Sequence, residues 1–569
     1  MAEPEIKICQ NCKQDFTIES EDLSFYTKIG VPSPKLCPLC RAQRRLAFRN
    51  ERVFYKRKCD RCDKNVVSMY SPNKPYRVWC YDCWFSEDWD PLIYGRNYDP
   101  TRSFLEQFEE LWKEVPKVAL IHMRSVNSEY LNISADNKNC YMIVESSNNE
   151  GCAHCYWIQE CKDCVDVSFA SKTELSYESD DCYDSYKLFY SKGCHDCRES
   201  YFLFDCKDCS DCIGCMNLRS KKYHVFNQPL TKEQYEEFLK TARLNTHEGV
   251  EGVRNKFESF MKTQPKKYAE IYNAPGSSGG YMKNSKNCKL CFHCYDSEDS
   301  KYGVHVWRNA KDCMDVDTAG RNAERLYNSM NAGIDVSNYV CSNLCWTCSF
   351  MQYCYYCFNS NFCFGSVGLR KKEYCILNKK YTKEKFEELQ KQIIEDMKKR
   401  GEYGEFFPAH MSTFGYNETA AQEQFSLTKE AAEKLGFKWE EYPRGTYGKE
   451  NIKWESISGT IDPLTAIFAC VLCSKNYRII PAELSFYERL NIPFPRLCPD
   501  CRHMRRIKNR GPNRLWKRTC SCGNKNTIYK NNAVHFHGES QCQNEFETNF
   551  LPENNEVLYC EQCYNQEVV

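Results

Sequence analysis

The chain carries one cysteine-rich segment twice, once near each end. Residues 9–59 recur without a gap at residues 470–520, and a constant shift of 461 positions relates the copies. The shift superposes Cys9, Cys12, Cys37, Cys40 and Cys59 on Cys470, Cys473, Cys498, Cys501 and Cys520. A segment this short cannot bury a large apolar core, so metal binding is expected to supply most of its folding free energy. We therefore predict an amino-terminal module (residues 1–99) and a carboxy-terminal module (residues 464–569), both metal-binding.

Composition indicates a long chain in a reducing compartment. The sequence has 569 residues, too many for one hydrophobic core, so several domains are expected. Its longest apolar stretches, such as residues 115–123, are shorter than a membrane span, and the first residues, MAEPEIKICQ, do not resemble a secretory signal. We therefore expect a cytoplasmic protein with no membrane partner. In such a compartment its 40 cysteines favour metal thiolates over disulfides.

Cysteine spacing predicts two metal sites in each module, because two Cys-x2-Cys pairs close a tetrahedron of thiolates around zinc. The predicted amino-terminal ligands are Cys9, Cys12, Cys37 and Cys40, then Cys59, Cys62, Cys80 and Cys83. The predicted carboxy-terminal ligands are Cys470, Cys473, Cys498 and Cys501, then Cys520, Cys522, Cys560 and Cys563. About four structural zinc ions per chain are expected. Within the span of the last site, His535, His537 and Cys542 are either substitute ligands or ordinary loop residues.

The first site of each module resembles a known family. The similarity is to the zinc-ribbon family of small, treble-clef-like bacterial domains, and it rests on Cys9-x2-Cys12, Phe16, Phe25-Tyr26, Pro34 and Cys37-Pro-x-Cys40-Arg41. It covers about 35 residues at each end, and in the second copy Tyr477 stands where the family prefers Phe. The resemblance implies a zinc-bound fold and no particular activity. The whole chain also resembles long cysteine-rich proteins of candidate-phylum bacteria, which again implies no activity.

A run of cations follows the second cysteine pair in both copies. From Arg41 to Arg61 the chain has nine Lys or Arg against two acids, whereas residues 139–218 have fifteen acids against six Lys or Arg. Spacings of three and four place the cations on one side of a helix, where guanidinium groups bind phosphates well. The predicted nucleic-acid contacts are Arg41, Arg44, Arg45, Arg49, Arg52, Arg502, Arg505, Arg506, Lys508 and Arg510. Two alternatives stay open: a solvated helix face, or a face that docks on a protein partner or on the chain's own acidic middle.

The middle of the chain is also duplicated, with a shift of roughly 150 residues. KDCVDV at residues 162–167 matches KDCMDV at residues 311–316, and each copy ends in a threonine, Thr231 or Thr382, that is placed to cap a helix. Aromatic, β-prone segments recur roughly every fifteen to eighteen positions, which predicts the coils of a β-solenoid. NAPGSSGG at residues 273–280 predicts a flexible joint between the halves.

The 23 cysteines of the middle have three interpretations. Runs such as Cys206, Cys209, Cys212 and Cys215 are close to an iron–sulfur motif, and they also suit zinc. A buried thiol is equally typical of a small apolar residue inside a solenoid. On this last interpretation, serine in place of Cys182 would bury a hydroxyl and cost about 1–3 kcal/mol.

These patterns predict a predominantly β multidomain chain with β-solenoid halves in the middle, zinc-ribbon modules at both ends and short helical linkers. Between the modules, the expected units are a helical connector at 100–126, solenoid halves at 127–226 and 286–378, a helix and Gly/Ser hinge between them at 227–285, and a helical linker at 379–463.

The expected function is nucleic-acid binding by the two modules, with RNA slightly favoured because no major-groove reader is present. The alternatives are a protein-assembly scaffold, with a protein partner on the acidic solenoid, and a redox protein with an iron–sulfur cluster. No enzyme is expected, because motifs for a nucleophilic serine, phosphate or dinucleotide are missing. Asp163, Asp166, Asp205 and Asp208 recur at regular intervals, which is typical of turn residues and not of a catalytic pair.

Overall fold

Helices and short strands contribute about equally to this multidomain chain, which a computed structural model describes over residues 3–306, 308–318, 320–331, 333–454, 462–524 and 527–568. The expectation of a predominantly β chain is therefore wrong, although short strands are numerous. The helices span Ser20–Ile29, Pro38–Leu46, Tyr81–Phe85, Phe104–Glu114, Lys232–Ala242, His247–Met261, Lys383–Arg400, Ala420–Gln424, Lys429–Lys434, Pro481–Leu490, Pro499–Arg510 and Glu561–Val568. Short 3-10 turns span Pro91–Tyr94, Ala409–Met411, Tyr416–Glu418 and Pro552–Asn554. Among the described residues, no helix combines the length and apolarity needed to cross a membrane.

The first half of the middle winds into stacked coils, called here the first stack (residues 122–229). Parallel bridges join positions twelve apart, as from Val126 to Lys138 and from Lys138 to Glu150, so this spacing is the length of one coil. Its strands span His122–Met123, Ser134–Ala135, Tyr156–Gln159, Ser168–Ser171, Tyr186–Phe189, Arg198–Tyr201, Ser210–Ile213, Lys222–Val225 and Gln228–Pro229. The expected period of fifteen to eighteen is wrong, because the pairing follows the backbone and not the spacing of the aromatic side chains.

Each coil of the first stack consists of segments of three residues. In each segment one residue pairs with the neighbouring coils, the next has a left-handed backbone, and the third buries its side chain. The left-handed positions often hold Asp, Asn or Gly, which adopt this conformation most easily. Asp163, Asp166, Asp205 and Asp208 all occupy such positions, with φ between 45° and 56°. These four residues therefore have the backbone conformation expected of turn residues, and Asp166 and Asp205 also form ion pairs.

The interior of the first stack is lined by one residue in three. Every third residue from Leu131 to Cys215 has an exposure of 4% or less. These residues are mostly cysteines, serines and aliphatic residues, and positions twelve apart lie over one another in successive coils. Such a short coil encloses a narrow interior, so it excludes large side chains. The cysteines of the middle are therefore interior packing residues, with the exception of Cys341, which joins a different core.

The interior thiols are also hydrogen-bonded. Cys152 Sγ lies 3.5 Å from the Glu150 carbonyl oxygen and 3.6 Å from that of Cys161, two residues earlier and nine residues later. The Ser179 hydroxyl makes the same two contacts, at 3.1 and 3.2 Å. Cysteine and serine thus fill equivalent positions, since each donates to a carbonyl of its own coil or of the next. A serine at Cys182 would therefore find two carbonyl oxygens, those of Asp180 and Ser191, so the expected penalty for its buried hydroxyl is reduced.

The second half of the middle forms the second stack (residues 271–380), in which parallel pairing joins positions that are mostly twelve or thirteen apart. Its strands span Ile271–Tyr272, Gly279–Gly280, Met282–Lys283, Cys291–Phe292, Ser297–Glu298, Ala310–Met314, Ala323–Tyr327, Val336–Val340, Ser349–Gln352, Asn361–Phe364, Glu373–Ile376 and Lys379–Lys380. The predicted joint at 273–280 belongs to its first coils, because Gly279–Gly280 pairs with Cys291–Phe292. A Cβ at Gly279 would collide with the Cys291 carbonyl, so glycine is needed there for close approach.

Each stack ends in a short antiparallel hairpin followed by a helix. The Thr231 hydroxyl accepts from the Gln234 amide at the start of Lys232–Ala242, and the Thr382 hydroxyl accepts from the Lys385 amide at the start of Lys383–Arg400. Both predicted helix caps are confirmed. The buried faces of these helices pack on the last coils and cover the end of each stack. The linker predicted at 379–463 is partly helical, and its residues 455–461 lie outside the described residues.

The two modules have the same order of elements. Each begins with a hairpin and two helices, continues with a second hairpin, and ends with a two-residue strand and a helix. The strands of the amino-terminal module span Glu5–Ile8, Asp15–Ile18, Tyr55–Lys58, Asn65–Ser68 and Val78–Trp79. Those of the carboxy-terminal module span Phe468–Ala469, Asn476–Tyr477, Trp516–Thr519, Glu545–Thr548 and Leu558–Tyr559.

The last strand of each module pairs with the segment that enters a stack. Val78–Trp79 pairs with Lys117–Val118, which precedes the first stack, and Leu558–Tyr559 pairs with Lys266–Lys267, which precedes the second. Both pairings are parallel.

The first part of each module packs on the stack that is more distant in sequence. Tyr26 of the amino-terminal module contacts Tyr327 of the second stack, with ring centroids 5.3 Å apart and an interplanar angle of 74°. Tyr487, which the shift of 461 superposes on Tyr26, contacts Tyr177 of the first stack at 5.6 Å and 75°. The chain therefore contains two equivalent docking interfaces.

Candidate metal centres and arginine clasps

Three groups of four cysteines lie where the sequence predicts them. Within each group every sulfur atom lies within 4.8 Å of the others, and the groups are Cys9, Cys12, Cys37 and Cys40; Cys59, Cys62, Cys80 and Cys83; and Cys470, Cys473, Cys498 and Cys501. The sulfur atoms of Cys12 and Cys37, and those of Cys62 and Cys80, are 3.8 Å apart. A tetrahedron with metal–sulfur bonds of about 2.3 Å has edges of about 3.8 Å. The sulfur positions thus fit a tetrahedral thiophilic metal ion.

The local backbone prepares these thiols to act as thiolates. The Cys37 amide donates to Cys9 Sγ at 3.3 Å, and the Cys80 amide donates to Cys59 Sγ at 3.2 Å. A hydrogen bond with Cys40 is the main cause that lowers the pKa of Cys37 to about 5. Burial alone would raise the pKa of Cys59, but neighbouring amides, first that of Cys80, lower it to about 7. Amide donors of this kind stabilise negative charge on sulfur.

The remaining thiols of the same groups need a cation. Burial, followed by contacts with neighbouring thiols, raises the pKa of Cys83 and of Cys501 well above the ordinary range. Four thiolates therefore do not coexist at neutral pH unless a positive ion lies between them. One ligand in each of the three groups, Cys12, Cys62 or Cys473, is exposed, so a metal ion has a short path from solvent.

The fourth site differs from the prediction. Its cluster contains Cys520, Cys542, Cys560 and Cys563, so Cys542 is a ligand candidate and Cys522 is not part of this group. The shift of 461 positions between the two modules explains why Cys542 joins the group. Gly523 occupies the position that corresponds to Cys62, so a ligand position is left for Cys542 to fill. Cys522 instead lies in a fifth group with His535, His537 and Cys563. Of the alternatives left by the sequence, the structure favours His535, His537 and Cys542 as ligand candidates.

Among the described residues, the cysteines of the two stacks form no group of this kind. Their sulfur atoms donate to carbonyl oxygens of the coils, as Cys206 Sγ does to Phe204 O at 3.5 Å. This arrangement matches the packing interpretation of the run Cys206, Cys209, Cys212 and Cys215.

Most of the cations predicted to bind nucleic acid are buried. Arg41, Arg45, Arg49, Arg52, Arg502, Arg506 and Arg510 have exposures of 8% or less. Arg44 and Arg505 are partly buried and paired with Glu405 and Glu178. Lys508 is exposed. Nine of these ten side chains are thus buried or partly buried within the chain, which matches the alternative in which the cationic faces dock on the chain's own acidic residues. Nucleic-acid binding stays a prediction.

The amino-terminal cations form a clasp on the second stack. Arg41 makes a two-point contact with Asp315, with Nε 2.6 Å from Oδ2 and Nη2 3.2 Å from Oδ1. One helical turn later, Arg45 Nε lies 2.6 Å from Asp317 Oδ2 and Nη1 donates to Asn328 Oδ1 at 2.9 Å. These ion pairs are almost fully buried, so their strength is not reduced by solvent.

Arg49, four residues after Arg45, contacts the first stack instead, with its Nη2 2.5 Å from Glu145 Oε2. Arg52 is buried, and neither of its terminal nitrogens has a hydrogen-bond acceptor among the described residues. Burial, as the main cause, lowers the pKa of Arg52, while Asp500 of the other module acts in the opposite direction. The amino-terminal clasp therefore contacts both stacks.

The carboxy-terminal cations form the equivalent clasp on the first stack. Arg502 Nε and Arg506 Nη1 each lie 3.1 Å from one carboxylate oxygen of Asp166. Arg510 Nη2 lies 2.9 Å from Asp181 Oδ1. The duplications superpose Arg502 on Arg41 and Asp166 on Asp315, so the two clasps use corresponding residues.

Metal-ligand candidates lie at the start of each clasp. Cys37 is the N-cap of the helix Pro38–Leu46, and Cys40 lies in its first turn. Cys498 and Cys501 have the same places on the helix Pro499–Arg510. Each clasping arginine row therefore starts within one turn of two metal-ligand candidates.

Comparison with known proteins does not assign the chain to a family. No protein-family model matches the chain, and no curated protein matches it.

Proposed function

We propose that the protein is a zinc-stabilised scaffold for protein assembly, in which two zinc-ribbon modules clasp a pair of β-solenoids into one rigid body. The observation that carries the proposal is the burial of both arginine rows against carboxylates of the stacks, starting at the metal-ligand pairs. A chain that uses its cationic faces internally presents the stacks, and not those faces, to other molecules.

Several features support β-solenoids and zinc ribbons as the parts of this scaffold. Parallel pairing at a constant offset of twelve in the first stack, and an interior of repeated small side chains, are typical of solenoids. Four thiolates with no free coordination position are typical of structural zinc, as in zinc ribbons. Iron also binds four thiolates, so the metal has to be measured.

An acidic column on the first stack suggests where a partner binds. Asp184, Asp196 and Asp208 are exposed and occupy the same position in three successive coils. Strands of neighbouring coils are about 4.8 Å apart, so these carboxylates form a dense row of negative charge. A basic protein segment is the partner chemistry that complements this row.

The metal content is the first test. We expect zinc as the principal metal in protein purified without added metal, at about four or more ions per chain. Fewer than two zinc ions, or more iron than zinc, would contradict the proposal. Removal of zinc by a chelator should also abolish the hydrogen-exchange protection of the helices Pro38–Leu46 and Pro499–Arg510, because their first turns contain the ligands.

Binding assays separate the scaffold from a nucleic-acid-binding protein. We expect no salt-dependent affinity for labelled RNA or DNA at micromolar concentration in fluorescence anisotropy, and no excess absorbance at 260 nm in nuclease-untreated protein. Cross-linking should capture a basic protein on the unmodified chain and not on the triple variant D184K/D196K/D208K. Steep salt-dependent RNA or DNA binding that survives this triple variant would instead favour nucleic acid, through cations outside the clasps such as Lys508.

A further inference from the structure

Seven metal-ligand candidates converge in the carboxy-terminal module, more than one metal ion can use. Cys520, Cys542, Cys560 and Cys563 form one group, and Cys522, His535, His537 and Cys563 form another. Cys563 belongs to both, and within each group all ligand atoms lie within 4.8 Å of one another. A tetrahedral zinc ion takes four ligands. Seven side chains supply two complete tetrahedra if one thiolate is shared.

We propose that the carboxy-terminal module holds a pair of metal ions bridged by Cys563 Sγ, one with four cysteine ligands and one with two cysteines and two histidines. The proposal rests on the metal sites of the proposed function and adds one ion to them. Cys563 is the last ligand of the all-cysteine group, and its sulfur lies 3.4 Å from His537 Nε2. In the second group Cys522 Sγ lies 2.9 Å from His535 Nδ1 and 3.1 Å from His537 Nε2.

The residues around the second group support a metal site. His535 Nε2 lies 2.9 Å from Glu567 Oε2, and both side chains are buried. The carboxylate therefore holds the proton on Nε2 and leaves Nδ1 free to face Cys522, which is the usual arrangement of a metal-binding histidine. Glu567 lies one turn after Cys563 on the helix Glu561–Val568, so a single helix positions the shared ligand and the orienting carboxylate.

Hydrogen bonds fix the orienting carboxylate and the thiolates. The backbone amide of Asn532 donates to Glu567 Oε1 at 2.8 Å, and the Tyr529 hydroxyl donates to the same atom at 2.7 Å. Asn531 Nδ2 donates to Cys522 Sγ at 3.1 Å. Five thiolates carry one negative charge more than two divalent ions supply, so donors such as Asn531 help to stabilise the excess.

The amino-terminal module provides a natural comparison. Its second site contains only Cys59, Cys62, Cys80 and Cys83, and its two cysteine pairs lie close together in the sequence. In the carboxy-terminal copy the corresponding interval is longer and contains His535, His537 and Cys542. Cys83 and Cys563 are equivalent, each being the second cysteine of the last Cys-x2-Cys pair. A single site therefore expands into a double one by insertion of a ligand-bearing loop.

Native mass spectrometry of the zinc-loaded full chain tests the proposal. We expect five zinc ions per chain, one for each group. The double variant H535A/H537A should retain four. Cys563→Ala should retain three, because it removes a ligand of both ions, whereas the control Cys83→Ala should retain four. Four zinc ions on the unmodified chain, with no loss in H535A/H537A, would overturn the proposal and leave the other sites intact, whereas fewer than two zinc ions would overturn the proposed function itself.

Cobalt substitution tests the bridge without any variant. A shared thiolate couples the spins of two Co²⁺ ions, so the paramagnetic resonance signal of the fully loaded chain should fall clearly below that expected from its cobalt content. Addition of the last equivalent of Co²⁺ should lower the paramagnetic resonance signal and not raise it. A signal that stays proportional to cobalt up to saturation would show that the two ions share no ligand and would overturn the bridge.

Discussion

Replacement of Asp315 by asparagine tests whether the amino-terminal clasp forms in solution. The change keeps the size of the side chain and removes its charge, so the buried Arg41 guanidinium loses its counter-ion. Both side chains have an exposure of 1% or less, and no water can replace the lost carboxylate oxygens. Removal of one partner of such a buried ion pair lowers the stability by about 3–5 kcal/mol. Lys28 and Asp312 form an exposed pair across the same interface, and removal of the lysine should cost no more than about 1 kcal/mol.

Hydrogen–deuterium exchange of the helix Pro38–Leu46 is the appropriate assay, because it reports local opening in a chain that does not unfold in one step. A loss of about 3–5 kcal/mol should accelerate exchange by two to more than three orders of magnitude in Asp315→Asn. Lys28→Ala serves as the control and should accelerate it less than about tenfold.

A double-mutant cycle with Arg41→Met isolates the contribution of the pair itself. If the clasp exists, the two changes together should cost clearly less than the sum of the single changes, since the second removes the charge that the first left unpaired. Equal and small effects of Asp315→Asn and Lys28→Ala would refute the reasoning. The arginines would then be free in solution, and their role as phosphate ligands would have to be considered again.

Three further perturbations are informative. Asp166→Asn should open its clasp, because it removes a carboxylate that two buried arginines share, although Arg502 keeps Glu483 as a partner; hydrogen exchange of the helix Pro499–Arg510 at the rate of the unmodified chain would contradict that. Cys182→Ser should change the unfolding free energy by less than about 1 kcal/mol and leave the metal content unchanged, because two carbonyl oxygens are available to its hydroxyl. Burial raises the pKa of Asp180 to about 7, so the folded state binds a proton that the unfolded state releases, and stability falls as the pH rises towards 7. The advantage of Asp180→Asn in thermal unfolding should therefore grow between pH 5 and 7 and level off above; a constant advantage would count against the burial effect.

The sequence was sufficient to predict the three simple groups of four cysteines, because Cys-x2-Cys turns place their thiols by local geometry alone. It was not sufficient for the fourth, where Cys520 and Cys522 are too close to repeat the pattern. There the ligands come from a long loop, and only tertiary structure shows that Cys542 joins one group and Cys522 another.

The arginine rows show a different limit. Their spacing correctly predicts one face of a helix, but an arginine helix that binds phosphates and one that binds carboxylates have the same periodicity. The deciding residues, Asp315 and Asp317, lie more than 270 positions away from Arg41 and Arg45. Acidic residues in the middle of the chain signalled that such partners exist, and only the fold shows that they meet.

The coil length was missed because the aromatic segments are the most visible repeat. The backbone signal is weaker and consists of a small residue at every third position, often preceded by Asp, Asn or Gly. Cys206, Cys209, Cys212 and Cys215 follow this rule, which is why one short coil can look like a run of iron–sulfur ligands.

The exchange of docking partners between the two halves has a consequence for how the polypeptide reaches its final form. The first half contributes a module that fits the second half, and the second half contributes one that fits the first. Each half is therefore an incomplete protein that the other completes, as in a dimer whose subunits exchange arms. During synthesis Arg41 and Arg45 stay without their carboxylate partners until the second stack has emerged from the ribosome, so the amino-terminal clasp is completed late. A cut in the loop between the helices Lys232–Ala242 and His247–Met261 should leave two fragments that remain associated. Either fragment alone would expose an uncovered docking surface on its stack and a terminal module without its partner.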